Sequence, residues 1–169
     1  MSKSVVFMGV AGCGKSSLAA AVALAAGLPL VEGDDHHSDA NRAKMSQGIA
    51  LNDEDRDGWL CSLGAQLQAA PSGIALTCSA LKRKYRDRLR QASPGLRFVF
   101  LDLTREAAQA RVAARTSHFF SASLVESQFA ALESPLDEPG VLRVDATAAL
   151  DQLQSQVVTW LRSSVSGPD

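Results

Sequence analysis

Gly9, Gly14, Lys15 and Ser16 stand in the spacing G-x-x-x-x-G-K-[ST] within the stretch GVAGCGKSS. A short apolar run, Val5 to Met8, precedes them and an alanine-rich stretch follows, so the glycines fall where a strand turns into a helix. Glycines at such a turn let backbone N–H groups point inward at an anion, and the helix N-terminus adds partial positive charge. Gly9, Gly12, Cys13, Gly14, Lys15, Ser16 and Ser17 are therefore the expected nucleotide-binding residues. Lys15 is expected to reach the β- and γ-phosphates, and Ser16 to ligate Mg²⁺.

A phosphate cradle serves a GTPase switch, an ATP-driven machine, a small-molecule kinase or a nucleotide-sensing module, and other residues narrow the choice. No N-K-x-D guanine-reading motif is present, and the D-x-x-G match from Asp55 to Gly58 falls inside an expected helix. Asp34 lies in the polar turn EGDDHHSD, at the carboxyl edge where open α/β sheets bind ligands, and is the expected general base. His37 in the same turn is either a hydrogen-bonding partner of the substrate or a surface residue. Asp102, after the run FVFL, has the shape of a Mg²⁺-assisting aspartate and equally that of a solvated strand end.

Basic residues follow on two helical stretches. In SALKRKYRDRLR, Leu81, Tyr85 and Leu89 recur every four residues as a buried stripe, with Lys82 and Arg86 one step round, aimed at the edge that holds Asp34. Lys82 and Arg86 are the expected ligands of an anionic acceptor, with Arg56 as a third candidate. Arg83, Lys84 and Arg88 form a solvated face. An RNA-binding helix would need stacking aromatics, and only Tyr85 is there. Arg111 and Arg115 share a helix face ahead of TSHFF and another helix, an arrangement suited to a lid over residues 115–135 that brings arginines to a transferring phosphate.

These residues need a scaffold, and the apolar pattern supplies one: strand alternates with helix, the signature of a parallel sheet covered on both faces. The expected strands are Val5–Met8, Pro29–Val31, Ile74–Cys78, Phe98–Leu101 and Val141–Val144. The expected helices are Lys15–Ala26, Asp39–Gln47, a longer one capped by Asn52 and running to about Ala70, Leu81–Gln91, Thr104–Arg115, Leu124–Leu132 and Leu150–Val165. The apolar run from Leu18 to Leu28 is too short to span a bilayer and predicts a buried helix.

The bulk composition agrees with one domain over residues 1–169: 46% hydrophobic, 21% charged, net charge −1. That balance gives no general field for nucleic acid. Cys13, Cys61 and Cys78 are odd in number and lack metal-ligand spacing, which points to free thiols in a reducing, cytoplasmic compartment. Cys13 among inward N–H groups at a helix N-terminus is expected to be a reactive thiol. A competing reading takes MSKSVVFMGVAGC as a lipoprotein signal ending at Cys13, although its apolar run is short and cleavage there would remove Gly9 and Gly12.

Four stretches, MGVAGCGKS, GDDHHSDANRAKMSQGIALNDEDRDGWL, CSALKRKYRDRLR and RTSHFFSASLVESQFAALESP, together resemble the small P-loop gluconokinases, relatives of shikimate kinase and the nucleoside monophosphate kinases. Gly33, Asp34, His37, Asn41, Lys44 and Met45 match one family motif, and Leu51, Asp53, Asp55, Arg56, Trp59 and Leu60 a second. Ser38 and Ala50 stand where that family has proline, and Cys13 where serine is common. The resemblance implies ATP-dependent phosphorylation of D-gluconate with Mg²⁺, a five-stranded parallel sheet of order 2-3-1-4-5 with a helical lid, and a homodimer. A kinase of the same architecture acting on shikimate or a nucleotide is the alternative.

Overall fold

The computed structural model describes residues 2–114 and 122–163. Its strands are β1 (Val5–Met8), β2 (Leu30–Glu32), β3 (Ala75–Thr77), β4 (Arg97–Asp102) and β5 (Val141–Asp145). Between and after them lie α1 (Lys15–Ala26), a 3₁₀ turn (Gly33–His36), α2 (Asp39–Ser46), α3 (Asp53–Gln68), α4 (Arg83–Ala92), α5 (Arg105–Ala114), α6 (Ala122–Ala131) and α7 (Leu150–Ser163). The strands form one parallel sheet in the order β2-β3-β1-β4-β5, as in a P-loop NTPase. The order reverses at β1, so the carboxyl end of β1 opens on the crevice where such sheets bind ligands.

β1 is buried throughout, and its alternation divides the core. Val5 and Phe7 face a layer built from α1, α5, α6 and α7, while Val6 and Met8 face a layer built from α3 and α4. Each fully buried side chain of this kind contributes about 1.5–3 kcal/mol. Tyr85 and Leu89 are buried on α4 as their spacing predicts, whereas Leu81, also buried, precedes the helix and packs in the other layer with Val5 and Phe7.

Helix ends follow local chemistry. Gly14 holds φ +95° at the start of α1 and Gly27 holds φ +69° at its end, conformations that side chains disfavour. Asn52 and Asp55 form a reciprocal capping box at the start of α3. The apolar run after Ser17 is buried on one face only: Leu18, Ala19, Val22 and Ala23 enter the core, whereas Leu24 is 87% exposed. β2 extends to Glu32, one residue beyond the expected end, and α4 begins at Arg83, leaving Leu81 and Lys82 in the preceding turn. Among the described residues no helix is long and apolar enough to cross a membrane.

Candidate functional site

The phosphate loop closes between β1 and α1. Gly9 (φ +147°), Gly12 (φ +81°) and Gly14 (φ +95°) shape it. A side chain at Gly9 would lie 2.9 Å from the Leu101 carbonyl and 2.8 Å from Cys13 Sγ, so the loop cannot close there without glycine. Lys15 folds back across the loop, its ammonium donating to Gly9 O at 2.9 Å and Val10 O at 3.1 Å. Ser16 Oγ donates to Glu32 Oε2 at 2.9 Å, and Thr77 Oγ1 donates to the same oxygen at 2.7 Å. Glu32 and Thr77 were not singled out by sequence; the signal for Glu32 was a carboxylate two residues before Asp34 at a strand end.

The facing wall is the 3₁₀ turn. Gly33 is wedged against β3: a Cβ there would meet Thr77 O at 2.1 Å, while its N–H donates to Thr77 Oγ1 and its carbonyl accepts from Trp59 Nε1 at 2.7 Å. That anchoring sets Asp34 at the cleft. His37 lies parallel to Trp59, with ring centroids 4.2 Å apart, and its Nε2 is 3.7 Å from Asp34 Oδ1. Asn41 Nδ2 donates to the Asp55 carbonyl at 2.8 Å and faces His37 Nδ1 at 3.3 Å. Nδ1 must therefore accept, which leaves the His37 proton on Nε2, toward Asp34. Burial lowers the His37 pKa to about 4, against the smaller opposing pull of Asp34, so the ring is neutral near pH 7.

Arg56, on α3, closes the floor. Its Nη1 donates to Leu51 O at 2.7 Å and to Tyr85 Oη at 3.3 Å. Tyr85 in turn donates to Asp53, whose carboxylate also receives Lys84 and, at 3.3 Å, Lys82. Hydrogen bonds from Lys84, Tyr85 and Lys82 hold the Asp53 carboxyl well below the usual carboxylate range. Tyr85 thus serves both the core stripe and the site.

These walls enclose a cleft of about 290 Å³, lined by Gly12, Gly14, Lys15, Ser16 and Ser17 on one side and Asp34, His37 and Arg56 on the other. Trp59, Thr77 and, from α6, Gln128 complete it, none of them anticipated as site residues. Other expectations are corrected. Arg86, expected to bind an anion, is 0% exposed and forms a bidentate pair with Glu138, at 2.9 and 2.6 Å, with Ala80 O accepting from its Nη1 at 2.7 Å. Helical spacing placed it beside the buried stripe but could not reveal a partner 52 residues on. Lys82 stands outside the cleft lining, spent on Asp53.

Cys13 is 1% exposed and packs in the core beneath the loop, which fits neither a reactive thiol nor a lipid attachment point. Arg111 donates to Gly12 O and Ala146 O, each at 3.0 Å, bracing the outer side of the loop rather than the cleft. Asp102 pairs with Arg143 at 2.8 Å, the solvated strand-end reading. Arg115 and the start of the expected lid lie outside the described residues.

No family model matches the chain. It is, however, 40% identical over 171 residues to a probable gluconokinase of Schizosaccharomyces pombe, covering 95% of this chain and 89% of that one. It is 41% identical over 148 residues to the thermosensitive gluconokinase of Escherichia coli, covering 85% of this chain and 79% of that one. Among solved structures, a gluconokinase from Sinorhizobium meliloti superimposes with a TM-score of 0.88 at 41% identity, over 95% of this chain and 92% of that one. A phosphate loop facing a carboxylate, a buried histidine and an arginine across one cleft, together with this likeness over nearly the whole length, places the chain in the gluconokinase family.

Proposed function

We propose that this cleft transfers the terminal phosphoryl group of ATP to the 6-hydroxyl of D-gluconate. The observation that carries the reading is that one cleft is lined by both Lys15 of the phosphate loop and Asp34, His37 and Arg56 opposite, so donor and acceptor meet in a single space. The inward N–H groups and Lys15 hold the phosphates. Asp34 takes the proton of the attacking hydroxyl as the acceptor oxygen bonds to phosphorus and the bond from phosphorus to the ADP oxygen breaks. Neutral His37, its Nε2 3.7 Å from the Asp34 carboxylate, presents Nε2–H as a donor to the acceptor's hydroxyls. Arg56, already steadied by Leu51 O and Tyr85, grips the carboxylate end of gluconate, a task for a planar two-pronged donor.

The hydroxyls of Ser16 and Thr77 and the carboxylate of Glu32 are hard oxygen ligands gathered at one point, the donor set Mg²⁺ prefers. Ser16 would hold the ion directly with Glu32 behind it, and the ion when bound neutralises charge between the β- and γ-phosphates. Arg111 supports the phosphate loop from outside the cleft, through the Gly12 and Ala146 carbonyls. A cytoplasmic homodimer completes the proposal, supported by the family resemblance and the free thiols Cys13, Cys61 and Cys78.

The test is ADP release with gluconate, related sugar acids, shikimate and AMP, each against an ATP-only blank. Gluconate-dependent turnover is expected; turnover with shikimate or AMP alone, or none above the blank, refutes the reading.

A further inference from the structure

Leu124, Ser127 and Gln128 recur at helical spacing on α6 and line the cleft from the side opposite α3. Gln128 is 8% exposed, and its Oε1 accepts from the Ala11 N–H at 2.6 Å. The Val10–Ala11 peptide is therefore held from both sides: its carbonyl takes the Lys15 ammonium at 3.1 Å and its N–H takes Gln128. A backbone N–H can only donate, so the amide must present its oxygen to Ala11, and its NH₂ group is turned the other way. No acceptor among the described residues takes those two hydrogens, yet the nitrogen is not sealed off from solvent. Gln128 itself is part of the cleft lining.

We propose that Gln128 contacts the substrate, donating from its NH₂ group to an oxygen of the phosphoryl group in transfer, with Ala11 fixing the amide. The inference rests on the kinase reading of the same cleft. The phosphoryl group is the partner because the anchor of the amide is the phosphate loop itself, on the very peptide that positions Lys15. A rigid donor aimed at charge that spreads over the phosphoryl oxygens acts most strongly in the transition state, and removing one such donor costs on the order of 10²–10³ in rate at comparable sites.

The experiment uses Gln128→Met, which keeps length but neither donates nor accepts, and Gln128→Glu, which keeps an oxygen for Ala11 and loses the NH₂ group. For each, kcat, gluconate KM, and the affinities for ADP and for a non-transferable ATP analogue are measured. Expected is a roughly 10- to 100-fold or larger fall in kcat, weaker binding of the ATP analogue and ADP affinity within about threefold of wild type. Equal weakening of ADP and the ATP analogue would make Gln128 a tether of the loop only. A loss confined to gluconate KM would assign the amide to the acceptor. Either result, or wild-type kcat in Gln128→Glu, overturns the proposal. Should Gln128→Met fail to fold, Gln128→Glu decides alone, because it retains the bond to Ala11. Absence of acceptor-dependent turnover in the wild type would instead refute the kinase reading.

Discussion

The guanidinium of Arg86 and the carboxylate of Glu138 meet face to face through two hydrogen bonds, at 2.9 and 2.6 Å, sealed from solvent. Arg90 joins the same carboxylate at 2.9 Å. Burial by itself would raise the Glu138 pKa, and the two arginines outweigh it and lower it. The pair binds the turn after β3 to the segment after α6, since Arg86 also donates to Ala80 O and Glu133 O.

Breaking a buried pair by removing one partner leaves an unmatched charge and costs about 3–5 kcal/mol. Arg86→Met is therefore expected to lower the urea midpoint sharply. Arg86→Met combined with Glu138→Leu should cost less than the sum of the two single changes. An Arg86→Met midpoint equal to wild type would show that the pair does not support the fold.

Asp34→Asn should keep the fold and ATP binding, because Asp34 is exposed at the cleft and the turn is anchored through Gly33. Its kcat should fall by on the order of 10²–10⁴, the usual contribution of a general base. Steady-state rates within a few-fold of wild type would remove Asp34 from the chemistry.

Arg56 and Lys82 are separated by a comparison of acceptors. Arg56→Ala should reduce kcat/KM for gluconate about ten- to a hundredfold, the scale of a lost charge-assisted hydrogen bond, and narrow its preference over glucose, which lacks the carboxylate. Lys82→Ala should change it only slightly, because Lys82 faces Asp53 outside the cleft. The reverse ranking would move the carboxylate pocket to Lys82.

His37 sets a pH dependence of stability. Its folded pKa of about 4 lies below the ordinary 6.5, with burial the main cause, Asp34 opposing, and Arg42 and Arg56 adding to the depression. Between pH 6.5 and about 4 the unfolded chain carries a proton at His37 that the folded chain does not, so stability rises with pH across that window and is lost as pH falls. His37→Gln should show a smaller drop in denaturation midpoint from pH 7 to pH 5 than wild type. Identical drops would mean that another group controls the acid side.

Thiol labelling should find Cys61 first, since it alone of the three is exposed. Cys13 is buried, and Cys78 is buried with its pKa pushed up to about 12 by desolvation. Modification of Cys13 ahead of Cys61, measured by mass spectrometry, would contradict the packing of the loop.

Sequence alone determined what depends on near neighbours along the chain. The spacing of Gly9, Gly14, Lys15 and Ser16 requires a strand, a tight turn and a helix start within a dozen residues, and the chain has no other economical way to satisfy them. The capping box at Asn52 and the burial of Tyr85 and Leu89, one helical turn apart on α4, are local in the same sense. Tertiary structure decided which polar groups meet across the sheet. Lys82 and Arg86 looked alike by spacing, yet one reaches Asp53 on α3 and the other Glu138 beyond α6, because a cation's role is set by whichever carboxylate the fold brings within hydrogen-bond reach. Glu32 became a partner of Ser16 only when β2 and β1 were set on either side of β3. Gln128 was one polar residue in a helix until α6 laid it on the Ala11 N–H, 117 positions away along the chain. Hydrogen bonds act over about 3 Å of space whatever the separation in sequence, so periodicity can name the face on which a side chain stands and only the packed fold can name what it touches.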